Sequence, residues 1–251
     1  NGSDCYDILP ITLIVNTFDP PNFQDESKYL CKGEQITLDV ATGFASYSWN
    51  TGAASISITV NTAGDYSVLV KDINGCEKTK KFKVILSESA IISGADTKDF
   101  SGDENSVLIQ YTGVGNYEFS LDGSVFQDNP LFTNVKPGIY NTIARDKNGC
   151  GLSNQYEVYI ADYPRFFTPN GDGSNDIYFV KAENINDFQL LIIDQNNREM
   201  FRSNAPGEQE GWNGRDKSGD EAPSGSYAAI VTGKDQNGKS FRDIQLFELR
   251  R

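Results

Sequence analysis

Apolar and polar residues alternate in short runs along most of this chain. The runs CKGEQITLDV, SISITV and YEFSLDG place hydrophobic side chains at every second position. That is the period of a strand with one face buried and one face wet. Gly, Asn, Asp and Ser cluster between the runs and supply the turns. No segment keeps the three-to-four spacing of an amphipathic helix for long. The pattern therefore predicts an all-β chain of tandem β-sandwich domains.

A repeat underlies the alternation. NGSDCYDILPITLIV, INGCEKTKKFKVIL and KNGCGLSNQYEVYI align on their cysteines, with Cys5, Cys76 and Cys150 each ten residues before a last apolar residue, Val15, Leu86 and Ile160. An Asn-Gly pair precedes each cysteine and favours a tight hairpin turn, so each segment reads as turn, cysteine and closing strand. The cysteines recur after 71 and then 74 residues, about the size of one small β-domain. Residues 1–19 then read as the closing strand of an upstream repeat, 20–90 and 91–161 as two complete repeats, and 162–251 as a third domain without cysteine. On this reading the chain is the C-terminal piece of a longer protein. Cys31 and Cys76 are the only pair inside one repeat, and a bridge between them would be worth about 4 kcal/mol. Cys5 has its expected partner upstream, and Cys150 has none in its own repeat. Buried reduced thiols are the plainer alternative.

Composition narrows the function. With 35 Asp and Glu against 22 Lys and Arg, the 251-residue chain carries a net charge of −13, which repels nucleic acid and anionic lipid surfaces. It has no run of 18 apolar residues, hence no transmembrane helix of its own, and the first residues lack the pattern of a signal peptide. Histidine is absent, which removes the commonest general base and transition-metal ligand. A non-enzymatic protein is expected.

The order Cys31, Trp49, Cys76 resembles an immunoglobulin sandwich, in which the tryptophan packs on the bridge. YSWNTGAASISITVNTAGDYSVLVKDINGC is similar to the immunoglobulin-like repeats of large surface proteins of Bacteroidota. GNYEFSLDGSVFQDNPLFTNVKPGIYNTIARDKNGCG is similar to the repeats of that phylum's gliding adhesins. The tandem domains are thus expected to be immunoglobulin-like. In the third domain the candidate strands are IYFVKA, FQLLIID, REMFRS, GSYAAIVTGKD and FRDIQLFEL. FFTPNGDGSND, GWNGRDKSGDEAPSGSY and a last apolar strand ending FELRR resemble the gliding-motility-associated C-terminal domain, also called the type B sorting domain of the type IX secretion system. The residues that carry the likeness are Phe167, Thr168, Pro169, Asn170, Gly171, Asp172, Gly173, Asn175, Asp176, Trp212, Gly225, Tyr227, Phe247, Leu249 and Arg250. One departure is Asn213-Gly214, where the family usually continues Asp-Gly. The resemblance implies export through the type IX translocon and attachment at the cell surface through an outer-membrane partner of the PorP and SprF type. It also implies that the passenger is a secreted protein, such as a gliding-type adhesin.

Two other readings stand beside this one. Asn170, Asp172 and Asp176 space oxygen side chains as a short calcium loop does, although the sixth and twelfth places of an EF-hand loop counted from Asn170 hold Asn175 and Lys181, which rules that loop out. The plainer reading is a turn closed by Asx hydrogen bonds, with no cofactor. In the repeats, Trp49, Tyr47 and Phe126 are candidate contacts for a glycan or protein, which would make the repeats an adhesive module. Aromatics at strand spacing are more often core.

Overall fold

A computed structural model describes residues 18–183, 185–234 and 238–251. The closing strand expected over residues 1–19 lies outside them except for Phe18 and Asp19, and so does Cys5. The chain is all-β, and among the described residues two single-turn 3-10 helices are the only helical pieces. It divides into two compact units, one ending at Ser87 and the other Glu88–Arg251.

The first unit is a two-sheet sandwich. One sheet has the order β1 (Glu26–Cys31), β6 (Glu77–Ser87), β5 (Gly64–Lys71), β3 (Ser46–Trp49), and the other pairs β2 (Ile36–Asp39) with β4 (Ser57–Val60). Alternation decides which face is buried. Leu38, Trp49, Val60, Val68, Val70, Phe82 and Val84 fill the space between the sheets, while Lys81 and Lys83 project outward from β6. β1 and β6 run parallel; all other strand pairs of the unit are antiparallel.

That parallel pairing corrects the expected disulfide. Cys76 is a free thiol, and Cys31 and Cys150 are disulfide-bonded. The bridge between Cys31 and Cys76 is not formed, because β1 lies in register with the far end of β6 and sets Cys31 opposite Ser87. Cys76 immediately precedes the start of β6. The eleven-residue extended strand puts the two cysteines more than about 30 Å apart, far beyond the Cα separation of about 7 Å that a disulfide tolerates. With no Cys31–Cys76 bridge to pack on, Trp49 stacks on Phe82 at 5.7 Å, and its indole N–H donates to the Ser55 carbonyl at 2.8 Å.

In the second unit, β7 (Ile91–Lys98), β8 (Ser106–Thr112) and β10 (Leu131–Thr133) form one three-stranded sheet. β9 (Tyr117–Ser120), β11 (Gly138–Asp146) and β12 (Tyr156–Ile160) form another. Ile92, Val107, Ile109, Phe119, Ala144 and Val158 pack between them. Beyond Ile160 a five-stranded sheet follows, with the order β13 (Phe166–Phe167), β17 (Ser240–Leu249), β16 (Gly225–Lys234), β14 (Asn186–Ile193), β15 (Glu199–Ser203). IYFVKA is not a strand of that sheet. It makes only isolated bridges, Tyr178 with Trp212 and Lys181 with Asp162, because it crosses the inner face of the sheet and buries Tyr178 and Val180 there.

The loop 99–105 ties these two cores together. Phe100, with φ at +55°, packs against the core of the five-stranded sheet, stacking on Tyr163 at 5.2 Å and lying 5.6 Å from Phe241. Asn105 is fully buried; its amide donates to the Asp162 carboxylate at 3.2 Å and its side-chain oxygen accepts from the Ser101 N–H at 2.8 Å. The Tyr163 hydroxyl donates to Asp243, and the Arg165 guanidinium donates to the Ser101 carbonyl at 3.3 Å.

Candidate functional site

The family-like residues of the last domain fall into two groups, one buried and one exposed. The buried group begins at β13. Phe167 enters the core from a two-residue strand that pairs in parallel with Glu248 and Leu249 at the end of β17. Its ring lies 5.3 Å from Trp212, 5.8 Å from Tyr178 and 6.0 Å from Phe247. Phe247 in turn stacks on Tyr178 at 3.7 Å and on Tyr227 at 6.0 Å. The polar ends of these rings are directed to backbone: the Trp212 indole donates to the Arg215 carbonyl at 2.6 Å and the Tyr227 hydroxyl to the Pro223 carbonyl at 2.7 Å. Burial raises the Tyr227 hydroxyl above its ordinary pKa. Tyr178 is the exception, fully buried with no hydrogen-bond partner for its hydroxyl. Gly225 opens β16 opposite Leu249, so both ends of the motif meet at one corner of the sheet.

The exposed group is the loop from Thr168 to Asp176. Thr168 N–H donates to the Asn175 carbonyl at 2.8 Å and closes the loop at its base. Inside, the Asp176 carboxylate accepts from the N–H of Gly171 at 2.6 Å and of Gly173 at 2.7 Å. Those two bonds hold its pKa below the usual carboxylate value. Both glycines have positive φ, +78° and +84°, which turns their two N–H groups, with one residue between them, toward one side chain. Asp172 N–H donates to the Asn170 side-chain oxygen at 3.0 Å, and Ser174 N–H to Asp172 at 2.8 Å. The three residues with calcium-like spacing therefore already spend oxygen lone pairs on the loop's own backbone. Among the described residues no group of three Asp, Glu, Cys or His side chains has metal-binding geometry.

Pro169 connects the two groups. A Cβ on Gly214 would meet the Pro169 ring at 2.9 Å and the Arg251 guanidinium at 3.2 Å, and Gly214 has φ at +78°. Glycine at this position is what lets the loop, the Trp212 turn and the chain end approach one another. Arg251 completes the corner, donating to the carbonyls of Gly214 at 2.8 Å and Ala222 at 3.2 Å. Arg250 pairs with Glu248 at 2.7 Å and lies 4.9 Å over the Phe166 ring. Motif reading met Gly214 only as part of a departure from the family pattern and Arg251 only as the end of FELRR, and it gave Tyr178 no role of its own. For Tyr178 the alternation in IYFVKA is the one signal that could have been used.

Residues 161–245 match the CHU_C type IX secretion signal domain. The resemblance drawn from the Phe167–Asp176 run and the Trp212 turn is thus borne out for the type IX system. The match stops short of Phe247, Leu249 and Arg250, which the fold nevertheless seats in the same corner. No curated protein gives a significant match to the chain. Among solved structures, the chain overlaps the N-terminal eight Ig domains of Down Syndrome Cell Adhesion Molecule with a TM-score of 0.31 and 13% identity, over 91% of this chain and 36% of that one. It overlaps murine CEACAM1b with a TM-score of 0.34 and 8% identity, over 53% of this chain and 95% of that one. A tetra-tandem repeat from the extending region of a large adhesion protein gives 0.25 and 12%, over 89% and 74%. At such scores these overlaps add nothing to the strand pairing described above.

Of the aromatics proposed as adhesive contacts in the repeats, Trp49 is buried and Tyr47 packs against the same core. Phe126 is half-buried, with the Arg145 guanidinium 4.0 Å over its ring.

Proposed function

We propose that this chain belongs to a secreted cell-surface protein, and that residues 162–251 are the signal that carries it through the type IX translocon. In this reading an outer-membrane protein of the PorP and SprF type then holds the domain at the surface, and the repeats serve as an acidic stalk for a gliding-type adhesin. The work is recognition and not bond chemistry. The observation that carries the reading is the secretion-signal match at residues 161–245, which falls on a domain with its own aromatic core. The Thr168–Asp176 loop acts as a self-closed turn at the edge of that core, with no ion required. The test is a reporter fused ahead of the full chain in a cell with a type IX system, beside the same fusion ending at Ala161. Surface display by the first and periplasmic retention of the second is expected; equal display of both would remove the export role from the last domain.

A further inference from the structure

The five-stranded sheet is apolar on both faces, though only its inner face packs on the core. Strand register lines up Leu191, Ile230 and Ile244 in one row across β14, β16 and β17, and Ile193, Ala228 and Leu246 in the next. These six side chains alternate with the buried Leu190, Ile192, Ala229 and Phe247, so they point away from the core. At the β17 edge the exposure is large, 52% for Ile244 and 70% for Leu246. An antiparallel sheet facing water ordinarily carries polar residues there. The first unit is more polar there: its outward rows along β5 and β6 are Asp65 beside Lys83, Ser67 beside Lys81, Leu69 beside Thr79 and Lys71 beside Glu77.

Charge around the apolar rows runs against the composition of the chain. Arg242 flanks one end beside Thr232, Arg202 flanks the β15 side beside Leu191, and Arg250 lies at the other end over Phe166. Glu248 pairs with Arg250 and Glu199 with both Arg202 and Lys217, so the four cations Arg202, Lys217, Arg242 and Arg250 face only the two acids Glu199 and Glu248, which leaves this rim net positive. Arg242 has no ion pair among the described residues. In a chain of net charge −13, an apolar field edged by arginines is complementary to an apolar surface edged by carboxylates. An anionic lipid surface would be repelled by the rest of the molecule.

We infer that this outer face of β14, β16 and β17 is where the domain docks its protein partner, and that the partner presents an apolar patch rimmed by Asp and Glu. The inference rests on the export reading and assigns it a surface. In the full 251-residue chain, Ile244→Lys with Leu246→Lys removes the centre of the patch, and Leu246→Gln is a gentler second variant. Arg242→Glu reverses the rim. Each replaces an exposed side chain, so the melting temperature of the purified chain should stay within a few degrees of the parent. Surface display of the fused reporter should fall on the order of tenfold or more for the double lysine variant, and measurably for Leu246→Gln and Arg242→Glu. Undiminished display of the variants while the parent is displayed would overturn the docking face and leave the export reading intact. Absence of display by the parent would defeat the export reading itself. A parent chain that is dimeric in solution and becomes monomeric with Leu246→Gln would reassign the face to a second copy. Binding of the parent to phosphatidylglycerol vesicles, lost with Arg242→Glu, would reassign it to lipid.

Discussion

Asp176 shows how much one side chain organises at the residue scale. Its two oxygens take the N–H groups of Gly171 and Gly173, bonds that a protonated carboxyl makes poorly. The folded pKa is depressed below the unfolded value near 3.8. The loop's contribution is therefore fully present above that value and is lost as pH falls through the lower, folded one. The Asp176 carboxyl, followed by NMR, is expected to titrate below pH 3.8, with the Gly171 and Gly173 amide signals moving in step. EDTA at neutral pH should leave those signals and the melting temperature unchanged. A fall in melting temperature with EDTA, restored by calcium, would show that an ion and not the backbone closes the loop.

Turns and cysteines carry the argument at the scale of elements. Asp72, Asp194 and Asp216 each open a hairpin by accepting the N–H groups two and four residues on, at 2.7–3.1 Å. This Asx geometry was legible in the runs DINGC, DQNNR and DKSGD, because an Asp followed within three residues by Asn, Ser or Gly favours a turn between strands. The partner of Cys31 was not legible, since the parallel register of β1 on β6 depends on contacts distant in sequence. Alkylation of the folded, oxidised chain followed by peptide mapping is expected to label Cys76 and to spare Cys31 and Cys150. Labelling of Cys31 in place of Cys76 would contradict the observed redox states.

Across Glu88–Arg251, the repeat and the signal domain share structure through the 99–105 loop. Asn105 satisfies the buried Asp162 carboxylate, and Phe100 covers Tyr163 and Phe241. Replacing Asn105 by Ala leaves Asp162 short of a partner, which typically costs about 1–3 kcal/mol. The expected outcome is faster amide exchange around Tyr163 and Phe241 as well as in the repeat. Exchange altered only in the repeat would mean that the two cores are independent.

The sequence by itself determined the strand content, the positions of most turns, the cysteine-marked repeat and the family-like motif of the last domain. These follow from local chemistry: side-chain period, turn residues and the spacing of a few oxygen-bearing groups. The tertiary structure decided what depends on residues far apart in the chain. It set Cys31 eleven residues from reach of Cys76, turned IYFVKA from a sheet strand into a core crossing, and drew Pro169, Gly214 and Arg251 into one corner. It also lined up Leu191, Ile230 and Ile244 as neighbours. Alternation tells which residues of a strand share a face. Only register tells which strands lie side by side, and so whether exposed apolar residues are scattered or form one surface.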